Sequence, residues 1–332
     1  MTRVTVLGAG GWGTAFALVL ADAGCDVHVW ARRDAVAREL HESRTNSVYL
    51  PGIELPTGVR ATTDAAAALA GADLVVLAVP AQALREHLVR WAPLLPPAAP
   101  LVSLAKGVEL GTGARMTEVV REVTGAAQER LVAVSGPNLA LEVARREPSA
   151  TVVACTDDTT GHAVADACTT ASFRPYLSTD VVGVEVAGAV KNVVALAVGI
   201  AEGLGYGDNA KAAVVTRGLA ESARLGVALG ASSGTFAGLA GAGDLVATCA
   251  SPLSRNHRAG VALGQGRGVQ EVLGAGQVAE GVRSAAAVLG LAHSRGVQMP
   301  LTEQVAEVVA GRRSAAEAAR ALLSRPRTTD GI

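Results

Sequence analysis

Val4-Thr5-Val6-Leu7-Gly8-Ala9-Gly10-Gly11-Trp12-Gly13-Thr14 is the stretch that decides the fold. A short apolar run rich in β-branched residues, Val4–Leu7, leads into G-x-G-x-x-G, and a helical pattern follows from Thr14 to Ala23. In that frame Gly8 permits the tight turn, Gly10 lets a pyrophosphate approach the backbone, and Gly13 allows the helix to pack closely on the strand. The free N–H groups of the helix start then face the anion. Six glycine-rich residues alone are weak evidence, since any α/β turn can carry them. The strand–turn–helix frame makes them a dinucleotide-binding prediction.

Reading outward, buried runs recur at Val27–Trp30, Asp73–Val79, Leu101–Leu104, Val132–Val134 and Thr151–Ala154, separated by Ala-rich helical stretches. Continuous apolar strands alternating with helices indicate parallel βαβ units. After about residue 183 the pattern changes to long Ala/Val/Leu/Gly segments, 184–201, 210–229 and 263 onward, with no convincing strand. The expectation is an α/β chain with an N-terminal Rossmann-like, mostly parallel sheet domain (1–183) that binds a dinucleotide. An all-helical domain (184–332) that binds substrate follows it.

The strand ending at Trp30 is followed by Ala31-Arg32-Arg33-Asp34. An NAD site usually places an acidic residue near this point to hold the ribose 2′-hydroxyl, whereas arginines accommodate a 2′-phosphate. Arg32 and Arg33 therefore predict acceptance of NADP(H) besides NAD(H); two solvated arginines opening a helix are the alternative.

The 332 residues are half hydrophobic and 18% charged, with a formal net charge of −1. This gives no electrostatic reason to expect nucleic acid or an anionic membrane as partner. The four cysteines, Cys25, Cys155, Cys168 and Cys249, form neither a C-x-x-C pair nor a His/Cys cluster, so no metal site is expected and a reducing cytoplasm fits. The opening 25 residues superficially resemble a signal peptide, but Trp12, Asp22 and the glycines interrupt the apolar centre. The longest apolar stretch, 181–201, carries Glu185, Lys191 and Asn192. Because such groups are costly at a bilayer centre, it reads as a buried helix, not a membrane span.

Of the 29 basic residues only Lys106, Lys191 and Lys211 are lysine. Ordinary surface charge has gone to arginine, so the three lysines are candidates for sites that need a compact ammonium able to transfer a proton. Lys191 lies in VEVAGAVKNVVALAVGIA among apolar neighbours. Burial would depress its pKa and suit it to general acid/base work, unless its head reaches water from the helix edge. Asn192 next to it can orient a polar substrate. Farther on, Asp244 sits among glycines in GLAGAGDL, placed either to pair with Lys191 or to cap a helix. Ser254 suits a helix cap or a ligand contact, while Arg255 and Asn256 offer a planar fork and an amide for a phosphate. Gly136 and Asn138 in SGPN, and Lys106 in AKG, follow strands at the carboxyl edge of the sheet, where ligands bind.

Taken together, GAGGWGTAFA, NSVYLPGIELP, SLAKGVE, SGPNLALEVA, the Lys191-Asn192 helix through VTRGLAE, and TFAGLAGAGDLVATCASPLSRNHRAG resemble the bacterial NAD(P)-dependent glycerol-3-phosphate dehydrogenase family, from residue 4 to about 310. The resemblance implies a cytoplasmic oxidoreductase. It would interconvert dihydroxyacetone phosphate and sn-glycerol 3-phosphate with NADP(H) or NAD(H) and supply glycerol 3-phosphate for phospholipid synthesis.

It implies that Lys191 is the proton donor to the ketone, and that Lys106 touches both substrate and cofactor. Gly136, Asn138, Asp244, Ser254, Arg255 and Asn256 match substrate-binding positions. Gly11, Trp12, Arg32, Arg33, Ala140, Val278 and Glu280 match cofactor contacts; Tyr49 lies in a cofactor-side motif, and Arg255 would serve both ligands. Leu139, Leu141 and Ala187 depart from the family's usual aromatic, lysine and glycine. Lys211 falls in an N-x-K-A-A pattern and reads as a supporting residue. The partner expectations are a small phosphorylated substrate and, from the apolar helical half, a homodimer.

Overall fold

The structure is a computed structural model, and it describes residues 1–274 and 279–324. The chain divides into two compact units. One comprises Met1–Ala105 with Met116–Val181; the other takes Lys106–Arg115 and the chain from Val182 onward.

In the first unit the elements run β1 (Arg3–Leu7), α1 (Gly11–Asp22), β2 (Asp26–Trp30), α2 (Asp34–Arg38), β3 (Thr45–Asn46), β4 (Leu50–Glu54), β5 (Val59–Thr62) and α3 (Ala65–Leu69). They continue with β6 (Leu74–Leu77), α4 (Leu84–Trp91), β7 (Leu101–Ser103), α5 (Met116–Thr124), β8 (Leu131–Ser135), α6 (Ala140–Ala144), β9 (Ser149–Ala154), α7 (Asp158–Ala167) and β10 (Phe173–Ser178). Eight strands form one sheet in the order β10-β9-β8-β7-β6-β1-β2-β5. Every neighbouring pair is parallel except β8 and β9. Strand order reverses at β1, which pairs with β2 on one side and β6 on the other, Leu7 lying opposite both Trp30 and Leu77. The carboxyl end at such a reversal is where open α/β sheets bind ligands, and Gly8 begins there.

The six strands legible as apolar runs are all present, to within a residue or two. β3, β4, β5 and β10 were not expected. β5 and β10 are the edges of the large sheet, and both are only partly buried along their length, so neither reads as continuous apolar sequence; β10 even carries Pro175, tolerated at an edge.

The second unit contains helices and, among the described residues, a single antiparallel bridge between Val108 and Arg115. The helices are α8 (Val181–Gly203), α9 (Asp208–Ala228), α10 (Ser233–Ala237), α11 (Asp244–Ala250), α12 (Arg255–Gly264), α13 (Val269–Gly274), α14 (Glu280–Ser294), α15 (Pro300–Val309) and α16 (Ala315–Leu323). α8 is long and apolar enough to cross a membrane by length and composition, yet 89% of its most apolar stretch is buried within the protein. It is the central rod of this unit's core, with Val193, Val194, Leu196 and Val198 all buried.

Glycine lets α12 lie directly on α8. A Cβ at Gly199 or Gly203 would overlap the carbonyls of His257 and Val261, and one at Gly260 or Gly264 those of Leu196 and Ile200. Small residues four apart on both helices bring the backbones into contact and fix where α12 begins, and so where Ser254, Arg255 and Asn256 stand. A sequence boundary at 183/184 misses the ten residues Lys106–Arg115. That segment buries Val108 in the helical core, a contact no local pattern reveals.

Candidate active site

Gly8 takes φ +134°, a conformation side chains resist, and a Cβ there would stand 2.5 Å from the Ala78 carbonyl oxygen. A Cβ on Gly13 would overlap the Gly8 carbonyl, so only glycine allows α1 to start this close to the turn. A Cβ on Gly10 would meet nothing within 4 Å. The turn is packed tight on two sides and open on the third, the shape a pyrophosphate needs. The indole N–H of Trp12 is buried without a hydrogen-bond partner among the described residues. These observations fit a bound dinucleotide.

Asn46, which the sequence reading did not single out, holds the turn: its buried amide donates to the Ala9 carbonyl (3.1 Å) and to Thr14 Oγ1 (2.8 Å). The Tyr49 carbonyl closes over Gly11, whose added Cβ would lie 3.1 Å from that oxygen and 3.9 Å from the Cβ of Ala140. Arg33 donates to Tyr49 Oη (3.2 Å) with its guanidinium 5.5 Å above the ring; Arg32 is exposed.

Also in this unit, a Cβ on Gly136 would stand 2.9 Å from Thr151 Cα. The Asn138 amide donates to the Ala150 carbonyl (3.1 Å) and accepts from Thr151 Oγ1 (2.8 Å). Both residues hold the turn after β8 against β9.

The second unit gathers two predicted lysines on one predicted carboxylate. Lys106 Nζ donates to Asp244 Oδ2 (2.6 Å) and Lys191 Nζ donates to Asp244 Oδ1 (2.9 Å). Side-chain exposure is 11% for each lysine and 2% for Asp244, so Lys191 does not simply reach past the helix edge into water. A wide π-type turn, Leu239–Gly243, feeds directly into α11 and makes Asp244 its first residue. The cap position is Gly243, so the carboxylate serves the lysines and not the helix start.

Thr248, one helical turn along α11, was not predicted. It accepts from Lys191 Nζ (2.8 Å) and donates to Asp244 Oδ1 (3.1 Å). The i, i+4 spacing Asp244–Thr248 was the available signal.

Burial pushes the Lys106 ammonium down to about 8, with Asp244 pulling it back, Lys191 adding to the fall and the carboxylate of Glu280 opposing it. Burial disfavours the charge on Asp244, but the two ammonium groups outweigh it and hold the carboxyl below its usual range. Two ammonium groups thus share Asp244 directly, and the Glu280 carboxylate acts on Lys106 as well.

An amide chain supports this cluster. The Gly281 N–H donates to Asn256 Oδ1 (2.8 Å), Asn256 Nδ2 to Asn192 Oδ1 (2.8 Å), and Asn192 Nδ2 to the Lys106 carbonyl (3.0 Å). Ser254 takes the cap position of α12, accepting from the His257 N–H (3.2 Å). Arg255 is exposed and makes no ion pair among the described residues. Val278 lies outside the described residues. All four cysteines are free and buried, and among the described residues no group of three or more His, Cys, Asp or Glu could hold a metal ion.

Comparison with known proteins agrees with both halves of this picture. Residues 3–161 match the NAD-dependent glycerol-3-phosphate dehydrogenase N-terminus, and residues 180–320 match the C-terminus of the same family. The chain is 56% identical over 324 residues to glycerol-3-phosphate dehydrogenase [NAD(P)+] of Streptomyces coelicolor, covering 97% of this chain and 96% of that protein. It is 54% identical to glycerol-3-phosphate dehydrogenase [NAD(P)+] 2 of Mycobacterium tuberculosis, covering 98% and 97%. The crystal structure of glycerol-3-phosphate dehydrogenase from Coxiella burnetii superposes with a TM-score of 0.93 at 37% identity, covering 98% of this chain and 99% of that one.

Proposed function

Because the chain belongs to the NAD-dependent glycerol-3-phosphate dehydrogenase family, we propose that it interconverts dihydroxyacetone phosphate and sn-glycerol 3-phosphate with NAD(P)(H). The observation that carries this reading is the convergence of Lys106 and Lys191 on the buried Asp244. A nicotinamide cofactor, when bound, supplies or accepts the hydride at C2. Gly8, Gly10, Gly11, Trp12 and Gly13 would hold its pyrophosphate, with Tyr49, Ala140, Val278 and Glu280 as further contacts. Arg32 and Arg33 would meet a 2′-phosphate.

Lys191 is the proton donor. Asp244 and Thr248 take two of its three N–H bonds, which leaves one to point at a ketone oxygen. As that oxygen gains charge, the proton passes from Nζ to it and Lys191 becomes a neutral amine; in the oxidising direction the same atom takes the proton back. Lys106 stays cationic and stabilises the developing alkoxide. Asp244 keeps both ammonium groups charged and aimed. Arg255 anchors the phosphate, with Asn192, Asn256, Ser254, Gly136 and Asn138 completing the substrate contacts. Asn192 and Asn256 do so partly by fixing the Lys106 backbone.

Residues 1–183 thus serve the cofactor and 184–332, with Lys106–Arg115, the substrate. The chain works in the cytoplasm as a homodimer without inserting in a membrane, supplying glycerol 3-phosphate to phospholipid synthesis. The deciding assay follows NAD(P)H oxidation with dihydroxyacetone phosphate against unphosphorylated dihydroxyacetone and other ketones. Equal rates with and without the phosphate would refute the reading.

A further inference from the structure

Segment Lys106–Arg115 joins the second unit although its neighbours in the chain belong to the first, and α8 grips it at both ends. Asn192 Nδ2 donates to the carbonyl of Lys106 at 3.0 Å. Glu185 Oε2 accepts from Arg115 Nη1 at 2.6 Å. Glu185 and Asn192 are seven positions apart, two helical turns, so they stand on one face of α8 roughly 10 Å apart along its axis. Between the two grips the bridge from Val108 to Arg115 closes the loop, and Val108 is buried in the helical core. Glu185 is 3% exposed and Arg115 14%; neither residue belongs to the set that meets substrate or cofactor in the reading above.

A buried ion pair is weak evidence of stabilisation, because desolvation offsets the attraction; its best-attested use is to fix one arrangement among several. Here the arrangement is the path of a ten-residue loop whose first residue carries a reactive ammonium. Without the Arg115–Glu185 pair the far end of the loop would be tied to α8 only indirectly, through the Val108 bridge and the burial of Val108, and could shift with the direction of the Lys106 side chain. We propose that Arg115 and Glu185 are positioning residues. They form the second anchor of a two-point clamp by which α8 holds the Lys106 ammonium on Asp244. The kinetic consequence rests on the role given to Lys106 above; the clamp itself does not.

The chain's three lysines make the test direct. Trace labelling of the folded protein with acetic anhydride at pH 7 and again at pH 10, read by mass spectrometry against Lys211 as internal reference, gives for Lys106 and Lys191 the ratio of reactivity at pH 10 to that at pH 7. In Glu185→Gln and Arg115→Met the pH 10 to pH 7 ratio for Lys106 rises severalfold, because an ammonium freed from burial returns from about 8 toward the ordinary 10.5, while that for Lys191 stays at the wild-type ratio; Arg115→Lys falls between. In the same variants kcat/KM for dihydroxyacetone phosphate falls about tenfold or more, as expected when a contact group is displaced by a fraction of an ångström. An unchanged Lys106 ratio overturns the proposal, as does an equal rise at Lys191, which would mark general loosening. Should Arg115→Met not fold, the near-isosteric Glu185→Gln and the charge-conserving Arg115→Lys decide it. If the wild-type chain does not turn over this ketone at all, the functional reading fails while the labelling still reports on the clamp.

Discussion

The Gly8–Gly13 turn is six consecutive residues acting through backbone shape, whereas the Asp244 cluster draws on side chains up to 138 positions apart. The turn depends on missing atoms: a Cβ at Gly8 or Gly13 collides with main chain. The cluster depends on particular atoms being present: two ammonium groups and a hydroxyl share one carboxylate. Substitutions should therefore fail in different ways, by steric loss of structure in the turn and by loss of chemistry in an intact fold in the cluster.

The largest effect tests the second half of that contrast. Lys191→Arg keeps the positive charge beside Asp244 but cannot cycle a proton near neutral pH. We expect kcat to fall by about 10²–10⁴ with the melting temperature little changed, measured by steady-state kinetics and thermal unfolding. Near-normal turnover would remove Lys191 from the proton-transfer role.

The first half is broken or sharpened by two glycines three residues apart. Gly13→Ala places a methyl on the Gly8 carbonyl and 2.8 Å from the Ala78 Cβ. Overpacking of this kind costs about 1–3 kcal/mol, so the melting temperature drops even without cofactor. Gly10→Ala has open space around its methyl. It should leave apo-protein stability near wild type yet raise the KM for cofactor, since the methyl fills the volume assigned to the pyrophosphate. Matching behaviour of the two variants would contradict the idea that one glycine serves packing and the other the ligand.

A further test is pH. Lys106 titrates at about 8, lowered first by burial and then by Lys191, against Asp244 and Glu280. Raising pH through 8 strips its proton, so kcat/KM for dihydroxyacetone phosphate should fall on the basic side, and Lys106→Met should abolish that limb. The stability sign is the reverse. Between 8 and the ordinary value of 10.5 the unfolded chain binds more protons at this lysine than the folded one, so this site's contribution to unfolding free energy increases with pH across that window. An activity profile flat through 8 to 9 would show that the charge on Lys106 is dispensable.

The contrast between the regions also explains what could be read from the sequence. Val4–Gly13 is legible because its information is local: a strand, a turn and a helix start adjoin in the chain. The sequence leaves Asp244 either pairing with Lys191 or capping a helix, because spacing says nothing about which way α11 faces. Only the preceding π-type turn, Leu239–Gly243, decides that. Thr248 and Asn46 escaped notice as single polar residues whose partners lie far away in sequence. The pairing of Arg115 with Glu185 is illegible for the same reason, although Glu185 stands out in its apolar stretch, and with it the membership of Lys106–Arg115 in the helical unit. The amides of Asn138, Asn192 and Asn256 read as ligand contacts, but each also bonds within the protein. A polar residue's type announces that it will bond, not to what.

The smallest effect belongs to the place where backbone and side-chain recognition meet. Arg33 is half committed: Tyr49 Oη accepts one N–H, and its ring lies under the guanidinium. That fixes the fork while leaving other N–H groups for a 2′-phosphate. Arg32 is exposed, so solvent and salt screen its contribution. A charge-assisted hydrogen bond is worth about 1.5–3 kcal/mol when well formed, and screening cuts into that. The double variant Arg32→Ala, Arg33→Ala should therefore lower the ratio of kcat/KM for NADPH over NADH by about tenfold, with NADH kinetics nearly unchanged. Tyr49→Phe removes only the acceptor that steadies the fork, and its effect on the ratio should be a small fraction of that. Raising ionic strength should shrink both effects together, because a phosphate met at an exposed site is read through charge, whereas the Gly10 backbone contact should hardly respond. If the ratio survives the loss of both arginines, cofactor choice is set by the turn itself, and the division between a backbone site and a side-chain site runs through β1 alone.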